Sequence, residues 1–208
     1  MIDFIIIGHK AVTTSDYSLN DLPGSAGRMD ILCRCVNSAL FLSHDLRRDV
    51  NIHLILLGSP NPGKIVRFEG EFVRYLSPDE RSAGSLIKKA LLKLETSINN
   101  HSNDESDNFE IRSMPGVFIK SDNLENLLSE FKKDGRNLFY LREDGNSIRE
   151  TSNLIENPIF ILGDHVGITE KEEEMILNFG AKTVSVGPLS LHSDHCITII
   201  HNEMDLKK

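Results

Sequence analysis

Six short apolar runs recur along this chain, and four of them stop at a glycine: 2–7 at Gly8, 52–57 at Gly58, 159–162 at Gly163 and 183–186 at Gly187. The other two are Val117-Phe118-Ile119 and Leu138-Phe139-Tyr140-Leu141. The first is nearly continuous (Phe4-Ile5-Ile6-Ile7), the pattern of a central strand buried on both faces. Segments of helical periodicity lie between the runs. A helix is expected over 28–43 with Met29, Leu32, Cys33, Val36 and Leu40 inward. Another should start at Ser77-Pro78-Asp79-Glu80, read as a capping box, and bury Leu86, Ala90, Leu91 and Leu94. Asp122-x-x-Glu125 and Thr169-x-x-Glu172 mark two further starts, closed at Gly135 and Gly180. Strand alternating with helix predicts an α/β fold, a mainly parallel sheet flanked by helices.

Other segments read as connections or edges. Lys64 to Glu69 alternates with period two and is expected to expose one face bearing Lys64 or Arg67. Residues 99–108 are polar and aperiodic, an expected exposed loop. Glu143-Asp144-Gly145 reads as a polar turn after the 138–141 strand.

Composition narrows the class. The 208 residues carry a net charge of −8, against a generic polyanion binder. The charge is uneven, with 12 Lys+Arg against 11 Asp+Glu over 1–100 and 11 against 20 over 101–208. Any polyanion contact should therefore use the first half. No apolar stretch approaches the roughly 20 residues of a membrane span, and the N-terminal run is too short for a secretory leader, so a cytoplasmic protein is expected. Three cysteines make no disulfide framework. His192, Asp194, His195, Cys196 and His201 lie close in sequence but lack metal-site spacing, so no metal is expected. No Walker A or G-x-G-x-x-G motif occurs, which disfavours ATPase and nicotinamide chemistry.

Two glycine exits from neighbouring strands can wall one small-molecule pocket at the carboxyl edge of the sheet. They are Phe160-Ile161-Leu162-Gly163-Asp164-His165 and Ser185-Val186-Gly187-Pro188-Leu189-Ser190-Leu191-His192-Ser193-Asp194-His195-Cys196. Together these blocks resemble the SPOUT (α/β-knot) class of S-adenosylmethionine-dependent RNA methyltransferases, most closely the archaeal TrmY family of tRNA pseudouridine N1-methyltransferases. The resemblance implies one SPOUT domain over 1–208, with a cofactor half at about 115–208 and an RNA-facing half at about 1–114. It implies a C-terminal deep trefoil knot, a homodimer and tRNA as partner, with pseudouridine 54 of the TΨC loop as target. By the same resemblance Leu141, Gly163, Val186, Gly187, Pro188, Leu189, Ser190, Leu191 and Cys196 are expected to hold S-adenosylmethionine.

Methyl transfer to N1 of pseudouridine needs in-line placement and loss of a weakly acidic proton. Asp164 and His192 are the candidate base or positioning groups. Arg28, Arg67 and Arg74 are the candidate phosphate partners for an extruded base. The other readings left open are ribosomal RNA pseudouridine N1- or ribose 2′-O-methylation, and a non-catalytic RNA-binding protein of the same fold.

Overall fold

The computed structural model describes residues 1–100, 109–151 and 156–207, and for residues 99 and 100 the backbone alone. Its strands are β1 (Ile2–Gly8), β2 (Val50–Leu56), β3 (Lys64–Glu69), β4 (Ile111–Met114), β5 (Val117–Ser121), β6 (Asn137–Ser147), β7 (Pro158–Gly163) and β8 (Lys182–Ser185). Its helices are α1 (Leu22–Ser25), α2 (Met29–Leu40), α3 (Glu80–Asn100), α4 (Leu124–Lys133), α5 (Glu170–Asn178) and α6 (Ser193–Asp205).

The strands form one sheet in the order β4-β5-β3-β2-β1-β7-β6-β8. The block β2-β1-β7-β6-β8 is parallel throughout, which puts the exits of β1, β6, β7 and β8 on a common edge. An antiparallel extension of β3, β5 and β4 completes the other side. The parallel block follows from the crossover helices. The extension exists because β3 returns directly from β2 and β5 pairs onto it.

Helices α2, α3 and α6 cover one face, over a row in which Phe4 stacks on Phe160 at 5.6 Å and Phe139 on Phe160 at 5.5 Å. Helices α4 and α5 cover the other, over Ile5, Ile7, Ile159 and Ile161. A fully buried isoleucine of this kind contributes about 1.5–3 kcal/mol, so the continuous apolar β1 accounts for a large share of the core. Every residue of β1 is buried, as the run predicts.

Several local expectations are corrected. Helix α3 begins at Glu80, and its cap is Asp79, whose Oδ1 accepts from the Ser82 amide at 2.7 Å; the Ser77 amide instead donates to Ser82 Oγ at 2.9 Å. Helix α4 is capped by Asn123 rather than Asp122, since Asn123 Oδ1 accepts from the Asn126 amide at 2.9 Å. Strand β3 lies inside the sheet between β2 and β5, so Ile65 and Val66 are both buried and no fully exposed face exists. The edge strand β4 was not anticipated. Of the expected loop 99–108, residues 99 and 100 belong to α3, and 101–108 lie outside the described residues.

The polar stretch at Glu143 to Gly145 is not a terminal turn. It sits inside the 11-residue β6 as a bulge: Leu141 and Asn146 both register with Val184 of β8. A Cβ on Gly145 would meet the Val184 backbone N at 2.7 Å, so only glycine lets the two chains approach this closely.

Candidate cofactor cavity and active site

The β6 bulge and the exits of β7 and β8 converge on a cavity of about 340 Å³. Its apolar side includes Leu141, Leu162, Ile168, Val186, Leu189 and Leu191, and its polar side Arg142, Glu143, Asp164, Glu173, Ser185, Ser190 and Ser193. Of the expected cofactor residues, Leu141, Gly163, Val186, Gly187, Leu189, Ser190, Leu191 and Cys196 line it. Pro188 is exposed beside it and shapes the loop without joining the lining.

Local chemistry explains why these loops meet. After β8, Ser185 Oγ donates to the Gly187 carbonyl at 2.7 Å and accepts from the Gly187 amide at 3.1 Å, folding the chain back on itself. Helix α6 is tied to the exit of β7, where Ser193 Oγ donates to the Gly163 carbonyl at 2.6 Å. The Ser190 hydroxyl bonds Glu143, holding that carboxylate below its ordinary range and joining the β6 bulge to the 188–191 loop. The exit of β7 itself is a tight turn in which the Gly167 amide donates to the Asp164 carbonyl at 3.1 Å. Gly163 faces this turn so closely that a Cβ would lie 2.5 Å from the Gly167 carbonyl carbon.

Asp164 sits at the base of the cavity with its carboxylate nearly inaccessible, and its lone pairs are occupied. Oδ2 accepts from the His9 amide at 2.8 Å, and Oδ1 accepts from the Val166 amide at 2.8 Å. His9 Nδ1 lies 3.1 Å from Oδ1, while His9 Nε2 lies 3.0 Å from Glu172 Oε2. Burial alone would lower the His9 pKa, but Glu172 and Asp164 outweigh it and raise it above the ordinary histidine value. Glu172 is held low despite its burial, by His9 and Thr169. An imidazolium between two carboxylates therefore locks the exits of β1 and β7 to the first turn of α5.

His192 caps α6 with its backbone in extended conformation, outside the cavity lining, and its ring stacks on His195 at 5.4 Å. Burial pushes the Cys196 thiol up to about 11, with the Glu143 and Asp194 charges adding to the rise. It is a neutral wall group rather than a thiolate nucleophile.

The three candidate RNA arginines are not gathered at one place. Arg28 is a left-handed residue (φ 65°) at the start of α2 whose guanidinium holds Asp30 at 3.0 and 3.1 Å, and the Asp164 charge reaches it across the carboxyl edge. Arg67 is enclosed by Glu69 and by Glu110 at 2.5 Å, with its guanidinium 4.4 Å over the Phe118 ring. Arg74 is exposed in the segment leading to α3 and makes no ion pair among the described residues.

Sequence reasoning missed His9, which no spacing rule links to Asp164 across 155 residues, and the acidic Glu143 and Glu173 of the cavity. Glu172 was visible only as a helix-start residue; the full capping box with Thr169 is present. Among the described residues no cluster of three or more metal-ligating side chains occurs, and no helix is long and apolar enough to cross a membrane.

A family model described as "Putative SAM-dependent RNA methyltransferase" matches residues 1–208. The tRNA (pseudouridine(54)-N(1))-methyltransferase of Methanococcoides burtonii is 64% identical over 205 residues, covering 99% of this chain and 96% of that protein. The protein of the same name from Methanocaldococcus jannaschii is 44% identical over 208 residues, covering 100% and 98%. The crystal structure of Archaeoglobus fulgidus Nep1 bound to S-adenosylhomocysteine superposes with a TM-score of 0.61 at 18% identity, covering 98% of this chain and 97% of that one, a likeness of fold. With its whole length matched by the family model and by relatives of this similarity, the chain belongs to the SAM-dependent RNA methyltransferase family, in the company of the archaeal tRNA (pseudouridine(54)-N(1))-methyltransferases.

Proposed function

We propose that this protein methylates N1 of pseudouridine 54 in the TΨC loop of tRNA, using S-adenosylmethionine. The observation that carries the reading is the convergence of the β6 bulge with the β7 and β8 exits, far apart in sequence, on one cavity with an apolar side and a polar side that bears three carboxylates. That division suits an adenosine on the apolar side and a cationic sulfonium and amine near Glu143 and Glu173. Arg142, held by Asp144 at 2.8 Å and by Glu173, is placed to meet an α-carboxylate.

When bound, S-adenosylmethionine supplies an electrophilic methyl group, so the protein's work is placement rather than covalent chemistry. Leu141, Val186, Leu189 and Leu191 exclude water, and the backbone at Gly163 and Gly187 lets the ligand approach closely. Asp164 acts as a positioning group that sets the β7 exit, since its carboxylate is already occupied by His9 and Val166. His192, exposed at the mouth, is the group free to take the N1 proton. Arg28 and Arg74 are the proposed phosphate partners, with Arg67 in a supporting role behind its carboxylates. The cofactor half then corresponds to about 115–208 and the RNA-facing half to about 1–114 of one domain.

The knot and the dimer belong to the same reading. A knotted C-terminal segment enters this reading through the resemblance to the SPOUT class. A homodimer is supported by the apolar rim of the cavity, where Leu189 is 72% and Val166 50% exposed. A cytoplasmic location belongs to the same reading and is consistent with a tRNA substrate.

The test is nucleoside mass spectrometry of a tRNA carrying pseudouridine 54 after incubation with protein and S-adenosylmethionine. N1-methylpseudouridine is expected. Cofactor binding without any methylated nucleoside would overturn the reading in favour of a non-catalytic RNA-binding protein.

A further inference from the structure

The segment joining β3 to α3 is presented in an unusual way. Val73 is buried and its amide donates to the Glu69 carbonyl at 2.9 Å, while the Arg74 amide donates to the Pro115 carbonyl at 3.3 Å. This anchoring leaves Phe72 52% and Tyr75 74% exposed on either side of the exposed Arg74. Tyr75 is moreover held at φ 61°, a conformation unfavourable for a bulky side chain. It gains no packing in return, and its hydroxyl has no hydrogen-bond partner among the described residues. Strain spent on holding an aromatic ring out in water points to something that ring meets.

Tyr75 forms one wall of a groove of about 430 Å³ whose other walls include Leu19, Arg81, Ser82, Ser85 and Lys89. Arg81 is oriented by Asn20 Oδ1 and pairs with no carboxylate among the described residues, and neither does Lys89. The groove's one acid, Asp79, is engaged in capping α3. An aromatic face, two unpaired cations and two hydroxyls are the complement of a nucleotide: ring for base, cations for phosphate, hydroxyls for sugar. Leu19 and Asn20 lie in the connection that leaves β1 at the same sheet edge as the cofactor cavity, with Arg28 further along that connection.

We propose that the Tyr75–Lys89 groove is a second RNA-contact site, which takes an unpaired nucleotide of the substrate RNA away from the reactive base. The proposal rests on the RNA-methylation reading above and adds the place where RNA outside the target position is gripped. Charge favours RNA over a protein partner, because the surplus of acid lies in residues 101–208 while 1–100 carry 12 Lys+Arg against 11 Asp+Glu.

The test uses the full-length protein with a fluorescein-labelled, pseudouridine-containing tRNA, followed by anisotropy and steady-state methylation. Tyr75→Ala should raise the Kd and KM for tRNA about tenfold, the scale of one lost base–aromatic stack, with kcat and S-adenosylmethionine affinity within about twofold. Tyr75→Phe should restore both. Arg81→Gln with Lys89→Gln should weaken tRNA about tenfold and make the slope of log K against log salt shallower by about 1.4. Wild-type affinity in both Tyr75→Ala and the double variant, with the wild type active, would overturn the groove and leave the methyltransferase intact. Loss of cofactor affinity and melting temperature in step with tRNA affinity would assign Tyr75 a structural role and equally overturn it. A wild type that binds S-adenosylmethionine but no tRNA would remove the proposed function and this site together.

Discussion

His9 and Asp164 are joined twice: the His9 amide meets Oδ2 at 2.8 Å and its imidazole meets Oδ1 at 3.1 Å. The same ring reaches Glu172 at 3.0 Å, so one side chain fastens two strand exits and a helix start beneath the cavity. Its removal should loosen the Gly163 to Gly167 turn. His9→Gln is expected to cost about 2 kcal/mol, the scale of a charge-assisted hydrogen bond, and to lower the melting temperature by roughly 4–8 °C. Affinity for S-adenosylmethionine, read by titration calorimetry, should fall about tenfold. An unchanged affinity would mean that the turn holds its shape without the clamp.

The pH dependence follows from the same groups. The His9 pKa is raised above 6.5, so its contribution is complete below that value and is lost as pH rises through the folded pKa. Glu172 is lowered from 4.5, so its contribution is present above 4.5 and is lost as pH falls through its folded value. The clamp is thus strongest between these limits. Buried His201 acts in the opposite sense: burial, aided by Arg47, holds it down to about 4. Between 6.5 and 4 the unfolded chain takes a proton that the native protein refuses, at about 1.4 kcal/mol per pH unit. Melting temperatures from pH 4 to 9 should therefore show an alkaline loss absent in His9→Gln and an acid loss reduced in His201→Gln. Parallel curves for wild type and His9→Gln above pH 6.5 would refute the first part.

The two exit glycines should separate by substitution. A Cβ at Gly163 would strike the Gly167 carbonyl at 2.5 Å, whereas a Cβ at Gly187 meets nothing within 4 Å. Gly163→Ala is expected to cost about 1–3 kcal/mol and weaken cofactor binding, because the turn itself must move. Gly187→Ala should fold normally and weaken cofactor binding only modestly, since the added methyl meets no protein atom but borders the ligand's side of the loop. Gly187→Trp should fold, within about 2 °C of wild type, yet lose cofactor affinity by roughly a hundredfold as the indole occupies the cavity. Calorimetry with S-adenosylmethionine on all three variants decides.

At the opposite end of β1, Asp3 is buried between His53 at 2.9 Å and Arg136 at 2.5 Å. Burial would raise its pKa, but these partners hold it down to about 2. Asp3→Asn leaves Arg136 without its buried counter-charge and should cost about 3 kcal/mol, roughly 10 °C in melting temperature. Cofactor affinity should stay within twofold, because the substitution lies at the far end of the strand from the cavity. A large loss of affinity would show that the two ends of β1 are coupled.

Much of this protein was legible in its residues. The run at Phe4 to Ile7, nearly continuous and stopped by Gly8, suits a strand buried on both faces, and β1 is that strand. The inward faces of α2 and α4 follow from 3.6-residue periodicity, and the capping box at Thr169 and Glu172 formed as written. The exits at Gly163 and Gly187, with the block from Ser185 to Cys196, carried both the family and most of the cavity wall. These are local properties, set by backbone sterics and by which faces must leave water.

Tertiary structure alone decided the rest. Whether Glu143 to Gly145 ended a strand or bulged within it depended on Val184, nearly forty residues away, and on a contact only a glycine allows. The role of Asp164 depended on His9, a residue whose own neighbourhood in sequence says nothing of a carboxylate. Arg67 reads as an open cation until Glu69, Glu110 and Phe118 close around it. A sequence specifies its own periodicities and turns directly, because they arise between neighbours in the chain. The ionisation, accessibility and reach of a side chain arise from whatever the fold sets beside it, and for His9, Asp164 and Arg67 those neighbours come from other strands and loops.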